Sequence, residues 1–371
     1  MSMILRKNRS QSHRERHVQH CGFPKIRHPL AMTLPFLNRF RLHILPKKGI
    51  LLIWIGLVVM ISGCVSDDQS NIIRIGHPLP EDHPLHQALL TVKELMAQKG
   101  MDELDIRIYP NGQLGSAADH VYMIKSGYIQ AGVFSAATLS GSIPMMNVFS
   151  MPFLFRDTEH MREALEGEPG QEMLRYLNDH NMFGFGYFTA GSRNIITKEP
   201  ILKPEDLAGK NIRVMESNIL VQIIQAMGGS AVVMSTGDIY SALQQGVLDG
   251  WENNPPTTWF FRMHETGAIH FSWTRHLIIP DVILASTTLR DQLTDEQFST
   301  LEEAFRFAVD QQWKDWDAFT RTSVENLKNE GMQFHDVDEQ AFRDAARIVY
   351  EQAFDRYGEE FRSMVEKFQQ L

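Results

Sequence analysis

Between Gly191 and Pro256 short β-branched runs alternate with stretches whose apolar residues recur every three to four positions. This alternation constrains the fold more than any other feature of the sequence. Asn211-Ile212-Arg213-Val214-Met215 reads as a strand after the breaker-rich Lys203-Pro204-Glu205-Asp206-Leu207-Ala208-Gly209. A helix follows on Ile219, Leu220, Ile223, Ile224 and Met227, with Ser217 placed to cap it and Gly228-Gly229 to close it. A second helix is expected from Ser235, with Asp238 as capping-box partner and Ile239, Ala242, Leu243 and Val247 on its apolar face. A further strand runs into the polar sequence Glu252-Asn253-Asn254. Strand and helix in alternation is α/β patterning, in which polar groups at the carboxyl ends of strands collect in one crevice.

Arg213 stands out within this pattern. Neighbouring strand side chains face opposite sides, so Ile212 and Val214 share one face and Arg213 takes the other. A guanidinium stays charged and is almost never buried alone. Either a carboxylate of this chain, Glu216 or Glu252 by position, supplies the counter-charge, or a ligand does.

The ordered set Gly191-Ser192-Arg193, Asp206–Val214, Tyr240–Gly250 and Glu252-Asn253 resembles the extracytoplasmic solute receptors of tripartite ATP-independent periplasmic (TRAP) transporters, the DctP type. Tyr109-Pro110-Asn111-Gly112-Gln113-Leu114-Gly115 and Met151-Pro152-Phe153-Leu154-Phe155 are similar to the same family, and the resemblance runs from about Ile72 to Tyr357.

The termini of the pattern are distinctive. Formal net charge is −9, but residues 1–63 hold 11 of the 36 Lys and Arg and 1 of the 45 Asp and Glu, which leaves −19 on the rest. So acidic a body argues against nucleic acid as a partner. The basic start leads into the apolar run Ile50–Ile61 and Ser62-Gly63-Cys64. Twelve apolar residues are too few to span a bilayer, which takes about 20. The layout is that of an export signal. Ile61-Ser62-Gly63-Cys64 looks like a bacterial lipobox, which implies cleavage before Cys64 and lipidation of its sulfur, with 64–71 as a tether. The 49 residues before the apolar core are long for a signal, so Met1–Ala31 is expected to be an upstream extension, with translation starting at Met32. Cys21 and Cys64 are the only cysteines, so no disulfide is expected in the body.

Along the body, Ile72–Gly76, Leu104–Tyr109 and Ala131–Phe134 read as strands separated by helices at Leu85–Met96 and Ala117–Lys125. No G-x-G-x-x-G follows the first strand, so no dinucleotide cofactor is implied. Helices near Asp157–Leu165 and Pro169–Asn178 precede a strand at Phe183–Tyr187. Val282–Ser286 then returns to the first sheet after a crossing at His276–Asp281 that resembles the family's. Thr294–Asn329 would span about 54 Å as one helix, at ~1.5 Å per residue. The expected fold is therefore a two-lobed periplasmic-binding-protein-like α/β fold with a long helix spanning both domains. Residues 72–190 and 280–318 are assigned to domain I, and 191–279 and 319–371 to domain II.

The resemblance also implies roles. Arg213 aligns with the arginine that pairs with the ligand carboxylate, and Arg193 with a second arginine near the cleft, alternatively an internal brace. Asn253 aligns with a ligand-contacting asparagine. Glu252 either braces an arginine or accepts from sugar hydroxyls, and Trp251 forms an apolar wall or packs in the core. Glu216 replaces the expected amide, and Ala117 stands where a sialic-acid receptor has an acid. His83 and Ser135 are candidates from domain I. His264, His270 and His276 have no metal-ligand spacing, and neither metal nor cofactor is expected. The implied ligand is a small organic acid, best matched by a hexuronate, with a C4-dicarboxylate or a hydroxy or keto acid as alternatives. The implied partners are the small and large permease subunits and the membrane, with the receptor itself a monomer. An exported enzyme on acidic sugars is the rival from another class. No G-x-S-x-G or H-E-x-x-H supports it. A sensory receptor would share the same binding core.

Overall fold

The computed structural model describes residues 71–371. The expected signal segment, Cys64 and the expected tether up to residue 70 lie outside them. The chain opens with β1 (Ile72–Gly76), α1 (Pro84–Gln98), β2 (Asp105–Tyr109), α2 (Ala117–Lys125) and β3 (Ala131–Ser135). Three short helices follow, α3 (Ala136–Leu139), α4 (Thr158–Glu166) and α5 (Glu168–Arg175), and then β4 (Met182–Phe188). The next stretch holds β5 (Ser192–Thr197), β6 (Asn211–Val214), α6 (Asn218–Ala226), β7 (Ser230–Val233), α7 (Ile239–Gln244), β8 (Gly250–Asn253), α8 (Pro255–Phe260) and β9 (His270–Ile278). The chain closes with β10 (Asp281–Ser286), α9 (Thr287–Gln292), α10 (Asp295–Asn329), β11 (Gln333–His335) and α11 (Glu339–Gln369). Among the described residues no helix is long and apolar enough to cross a membrane.

The strands form two sheets, ordered β2-β1-β3-β10-β4 and β11-β9-β5-β8-β6-β7. β1 is parallel to β2 and β3, whereas β10 returns antiparallel between β3 and β4. The chain passes from the first sheet to the second at residues 189–191 and back at 279–280. These are the crossings expected of a two-lobed α/β receptor fold.

Side-chain parity explains how the sheets pack. Ile195, Ile212, Val214, Phe134 and Val282 belong to one continuous core that runs along both sheets. The opposite faces have separate cores. Ile73, Ile75, Val133, Phe188 and Ile283 pack against α1 and the first half of α10, while Ile196, Trp251 and Phe271 pack around α7 and Leu327. Arg213 lies in register with Trp251, and Asp281 with Ser135 and Phe188. Paired residues of neighbouring strands share a face. Arg213 and Asp281 therefore rise from the two faces whose cores are not joined, whereas Glu252, paired with Ile195, and Arg193, paired with Leu277, take the face of the shared core.

Helix α10 is continuous for 35 residues, about 52 Å at ~1.5 Å per residue, and Thr294 with Gln297 closes a capping box at its start. Leu301, Ala304, Phe305 and Ala308 belong to the first lobe's core and Leu327 to the second's. Midway, the buried Gln312 grips the crossing strand: its Oε1 accepts from Thr189 N at 3.1 Å and its Nε2 donates to Thr189 O at 2.8 Å. Gly191 is bound to that spot by two constraints. Its φ is +60°, and a Cβ there would stand 2.5 Å from Trp316 Nε1.

Three local expectations are corrected. Ser217 occupies the cap position of α6 but makes no capping hydrogen bond, and its Oγ is buried without a partner. The segment after Ser235 opens as a 3-10 turn over Thr236–Asp238, and α7 begins only at Ile239, with no capping box. The boundary that placed all of 319–371 in domain II also fails. Helix α11 breaks at Gly358 (φ 83°), after which Phe368 meets Phe149 and Phe155 of the first lobe edge-on, and Lys367 pairs with Glu172 at 2.6 Å.

Gln312→Ala should lower the unfolding free energy by about 2–5 kcal/mol, because it leaves a buried N–H and a buried C=O of Thr189 unpaired at roughly 1–3 kcal/mol each. Urea denaturation followed by tryptophan fluorescence measures this. A loss under about 1 kcal/mol would mean that water replaces the clamp.

Candidate anion-binding site

Arg213 extends from the centre of β6 and is 3% exposed. Its Nε donates to Met234 O at 2.8 Å and its Nη2 to Thr236 Oγ1 at 3.4 Å. Both partners are neutral, and both lie on the segment between β7 and α7. Among the described residues no carboxylate stands within ion-pair distance of it. Burial pushes its pKa down to about 10, the charge of Glu252 acts upward and the charge of Arg193 downward again. A lowered pKa on a guanidinium means that its positive form is under-compensated where it stands.

Arg193 is in the opposite situation. A register irregularity between Arg193 and Ile195 bends β5 at this point, as bulges next to binding sites do. Its guanidinium takes Glu252 with two edges: Nε meets Oε2, and Nη2 donates to Oε1 and to the Glu252 carbonyl, each at 2.8 Å. Nη1 donates to Asn253 Oδ1 at 3.3 Å. Glu252 is 1% exposed, so the pair is buried on both sides. Bidentate arginine–carboxylate geometry of this kind holds the fork in one orientation. Two guanidinium groups therefore share one carboxylate, and the surplus positive charge resides on Arg213.

The remaining groups are neutral donors and acceptors. Asn253 Oδ1 is engaged by Arg193 and by Asn254 N at 2.9 Å, while its Nδ2 has no hydrogen-bond partner among the described residues. His276 is buried, bonds Thr274 Oγ1 through Nδ1 at 2.8 Å, and places Nε2 4.0 Å from Glu252 Oε2. His83 caps α1, with Nδ1 accepting from Leu85 N at 3.2 Å, and its Nε2 meets Thr257 Oγ1 at 3.4 Å. This contact joins α1 of the first lobe to α8 of the second. Ser135 ends β3 with its Oγ buried and unpartnered.

Two sequence candidates fall outside this cluster. Glu216 follows the strand on its outward side, is solvent-exposed and forms no ion pair. It therefore neither neutralises Arg213 nor lines the buried site. Trp251 packs in the core with Ile196, Leu243 and Phe271, with its Nε1 buried and unpartnered, so core packing and not a ligand wall is the role it fills. Two groups went unnoticed in the sequence. In the sequence His276 has only its residue type to mark it, and Asp281 only its place at the end of a crossing. The one sequence signal for Asp281 is an acid at the start of the otherwise apolar strand Val282–Ala285. Among the described residues no three His, Cys, Asp or Glu side chains stand together as a metal cage.

The cluster's titration has a measurable consequence. Burial lowers His83 and His276 to about 3, and likewise His77, which follows β1 and bonds His86 Nδ1 through Nε2 at 2.9 Å, with neighbouring histidine or arginine charge adding to the shift at His77 and His276. Unfolded, each titrates near 6.5. Between those values the unfolded chain takes up protons that the folded protein refuses, so stability present above pH 6.5 is lost as pH falls. Asp281, raised to about 7 by burial against the opposing charge of Arg193, holds a proton in the folded state and opposes this trend over about pH 4–7. Three groups outweigh one, at about 1.4 kcal/mol per proton per pH unit. The urea midpoint should therefore fall from pH 7 to pH 5. A flat or rising midpoint would contradict buried neutral histidines.

Comparison with known proteins agrees with the two-sheet α/β fold. A TRAP periplasmic solute-binding protein from Sulfitobacter sp. NAS-14.1, solved with bound β-D-galacturonate, is 31% identical. It aligns over 81% of this chain and 100% of its own, with a TM-score of 0.78. The corresponding protein from Pseudomonas putida F1, solved with bound D-glucuronate, is 34% identical over 79% of this chain and 96% of its own, with a TM-score of 0.75. A solute-binding protein of Chromohalobacter salexigens is 29% identical over 275 residues, 74% of this chain and 82% of that protein. Residues 75–357, the body that carries both sheets and the arginine pair, match the bacterial extracellular solute-binding proteins, family 7 (DctP), and the chain belongs to that family.

Proposed function

We propose that this protein is the extracytoplasmic receptor of a TRAP transporter and that it captures a hexuronate through the carboxylate that Arg213 lacks among the described residues. The observation that carries the reading is the buried, uncompensated guanidinium of Arg213 beside an arginine already satisfied by Glu252. A monocarboxylate supplies one negative charge, which is the local surplus. The free Nδ2 of Asn253 and the Oγ of Ser135 are matched by ring hydroxyls. The hexuronates in the similar solved structures support the same ligand class. Exclusion of water around the bound carboxylate strengthens the pair, and tighter binding to the closed arrangement is what drives closure.

In this reading the protein performs no chemistry on its ligand and hands it unchanged to the small and large permease subunits. The lipobox-like Ile61-Ser62-Gly63-Cys64 holds the receptor at the membrane through a lipid on Cys64. Substrate returned unaltered after incubation separates a receptor from an enzyme on acidic sugars.

Two experiments test the reading. D-glucuronate or D-galacturonate at a thousandfold excess over Kd should stabilise the wild type by about 4 kcal/mol, seen as a rise in Tm of several degrees. Arg213→Ala should weaken binding about a hundredfold or more, since it deletes two charge-assisted hydrogen bonds of roughly 1.5–3 kcal/mol each. Its circular-dichroism spectrum without ligand should remain that of the wild type. An undiminished Tm rise in the variant, or stabilisation by succinate alone, rules out the anchor or the ligand class respectively. For the tether, Cys64→Ser should move the protein from the membrane fraction to the soluble one or leave the signal uncleaved. Unchanged fractionation with normal cleavage removes the lipid assignment.

A further inference from the structure

An unpartnered acid–hydroxyl pair lies on the first sheet, just after the crossing at residues 279–280. Asp281 is the first residue of β10, immediately after the Ile279-Pro280 passage between the sheets, and it stands opposite Ser135 of β3 and Phe188 of β4. By strand pairing all three side chains share the face that carries the first lobe's separate core. Aspartate is disfavoured in strands, and the ladder here needs only its backbone. Its carboxyl makes no hydrogen bond or ion pair among the described residues. It is deeply surrounded by protein while the residue keeps part of its surface. Ser135 Oγ beside it is likewise buried and unpartnered. An isolated buried acid costs free energy unless something bonds it. The cation whose charge reaches it is Arg193, which also acts on Arg213 and His276, so one guanidinium is felt by all three groups.

We propose that Asp281, with Ser135 beside it, is the specificity-determining pole of the site, which bonds the hydroxyl groups of a polyhydroxylated acid and rejects a second carboxylate. This inference rests on Arg213 taking the ligand's carboxylate. With that end fixed on the second sheet, the rest of a six-carbon acid extends toward the first. A hydroxyl there can donate to the aspartate and complete its missing bonds. Above about pH 7, where Asp281 is ionised, the second carboxylate of a C4-dicarboxylate would instead meet an acid of like sign, so the affinities are compared at pH 8. The raised pKa of Asp281 fits such a place, because a partly protonated carboxyl both donates to and accepts from hydroxyls.

Isothermal titration of the full chain with D-glucuronate and with succinate tests the assignment. Asp281→Asn should weaken D-glucuronate about tenfold or more, as loss of a charge-assisted hydrogen bond does, and leave succinate unchanged or tighter, so that the ratio of the two affinities collapses. Ser135→Ala should shift the ratio in the same direction by less. Asp281→Glu, which keeps the charge but moves it by one methylene, should also lose D-glucuronate affinity, and it takes over the test should the Asn variant not match the wild-type circular dichroism. Wild-type D-glucuronate affinity and an unchanged ratio in the folded Asp281 variants would overturn the inference while leaving Arg213 in place. Arg213→Ala run alongside should lose both ligands. If it keeps both, the anchor falls, and with it the orientation assumed for Asp281.

Discussion

The site depends on an unequal sharing of charge. Two guanidinium groups are buried within reach of each other's fields, and one carboxylate, Glu252, is clasped by only one of them. Removing a charge from water costs several kcal/mol unless it is paired. Arg193 is paired on two edges. Arg213 has only a carbonyl and a hydroxyl. The protein has therefore folded around a deficit of one negative charge, and its sequence balance of −19 outside residues 1–63 makes that deficit a local construction, not a reflection of overall charge.

The backbone makes the construction possible. β6 carries Arg213 between Ile212 and Val214, whose side chains anchor in the core shared by both sheets. β5 bends between Arg193 and Ile195, and β8 delivers Glu252 and Asn253 next to it. On the opposing side, α1 begins at His83 and β10 at Asp281, so the first lobe presents the starts of two elements to the ends of strands in the second. The His83–Thr257 contact shows how closely the two sides approach.

Much of this was legible in the sequence because it follows from period and composition. The strand–helix alternation, the opposite faces of Ile212 and Arg213 and the unbroken run Asp295–Asn329 all appear as written. What was not legible depends on long-range register. Nothing local says that Glu252 meets Arg193, 59 positions earlier, rather than Arg213, or that Glu216, the other acid placed near Arg213, turns outward. Trp251 could have lined a wall; its strand parity sends it into the core with Ile196 instead. Ser217 has the residue type of a cap and the backbone of one, yet its hydroxyl bonds nothing. Asp281 became visible only once β10 was seated between β3 and β4.

The break at Gly358 has a mechanical corollary. Helix α11 starts beside the second sheet, and beyond the break its last turns are fastened to the first lobe by Phe368 and Lys367. With the passages at 189–191 and 279–280 and the mid-span of α10, the polypeptide bridges its halves four times. Four links at separate points of the chain oppose sliding and torsion between the halves. In the proposed receptor, a molecule resting on Arg213 would thus meet the same partners each time.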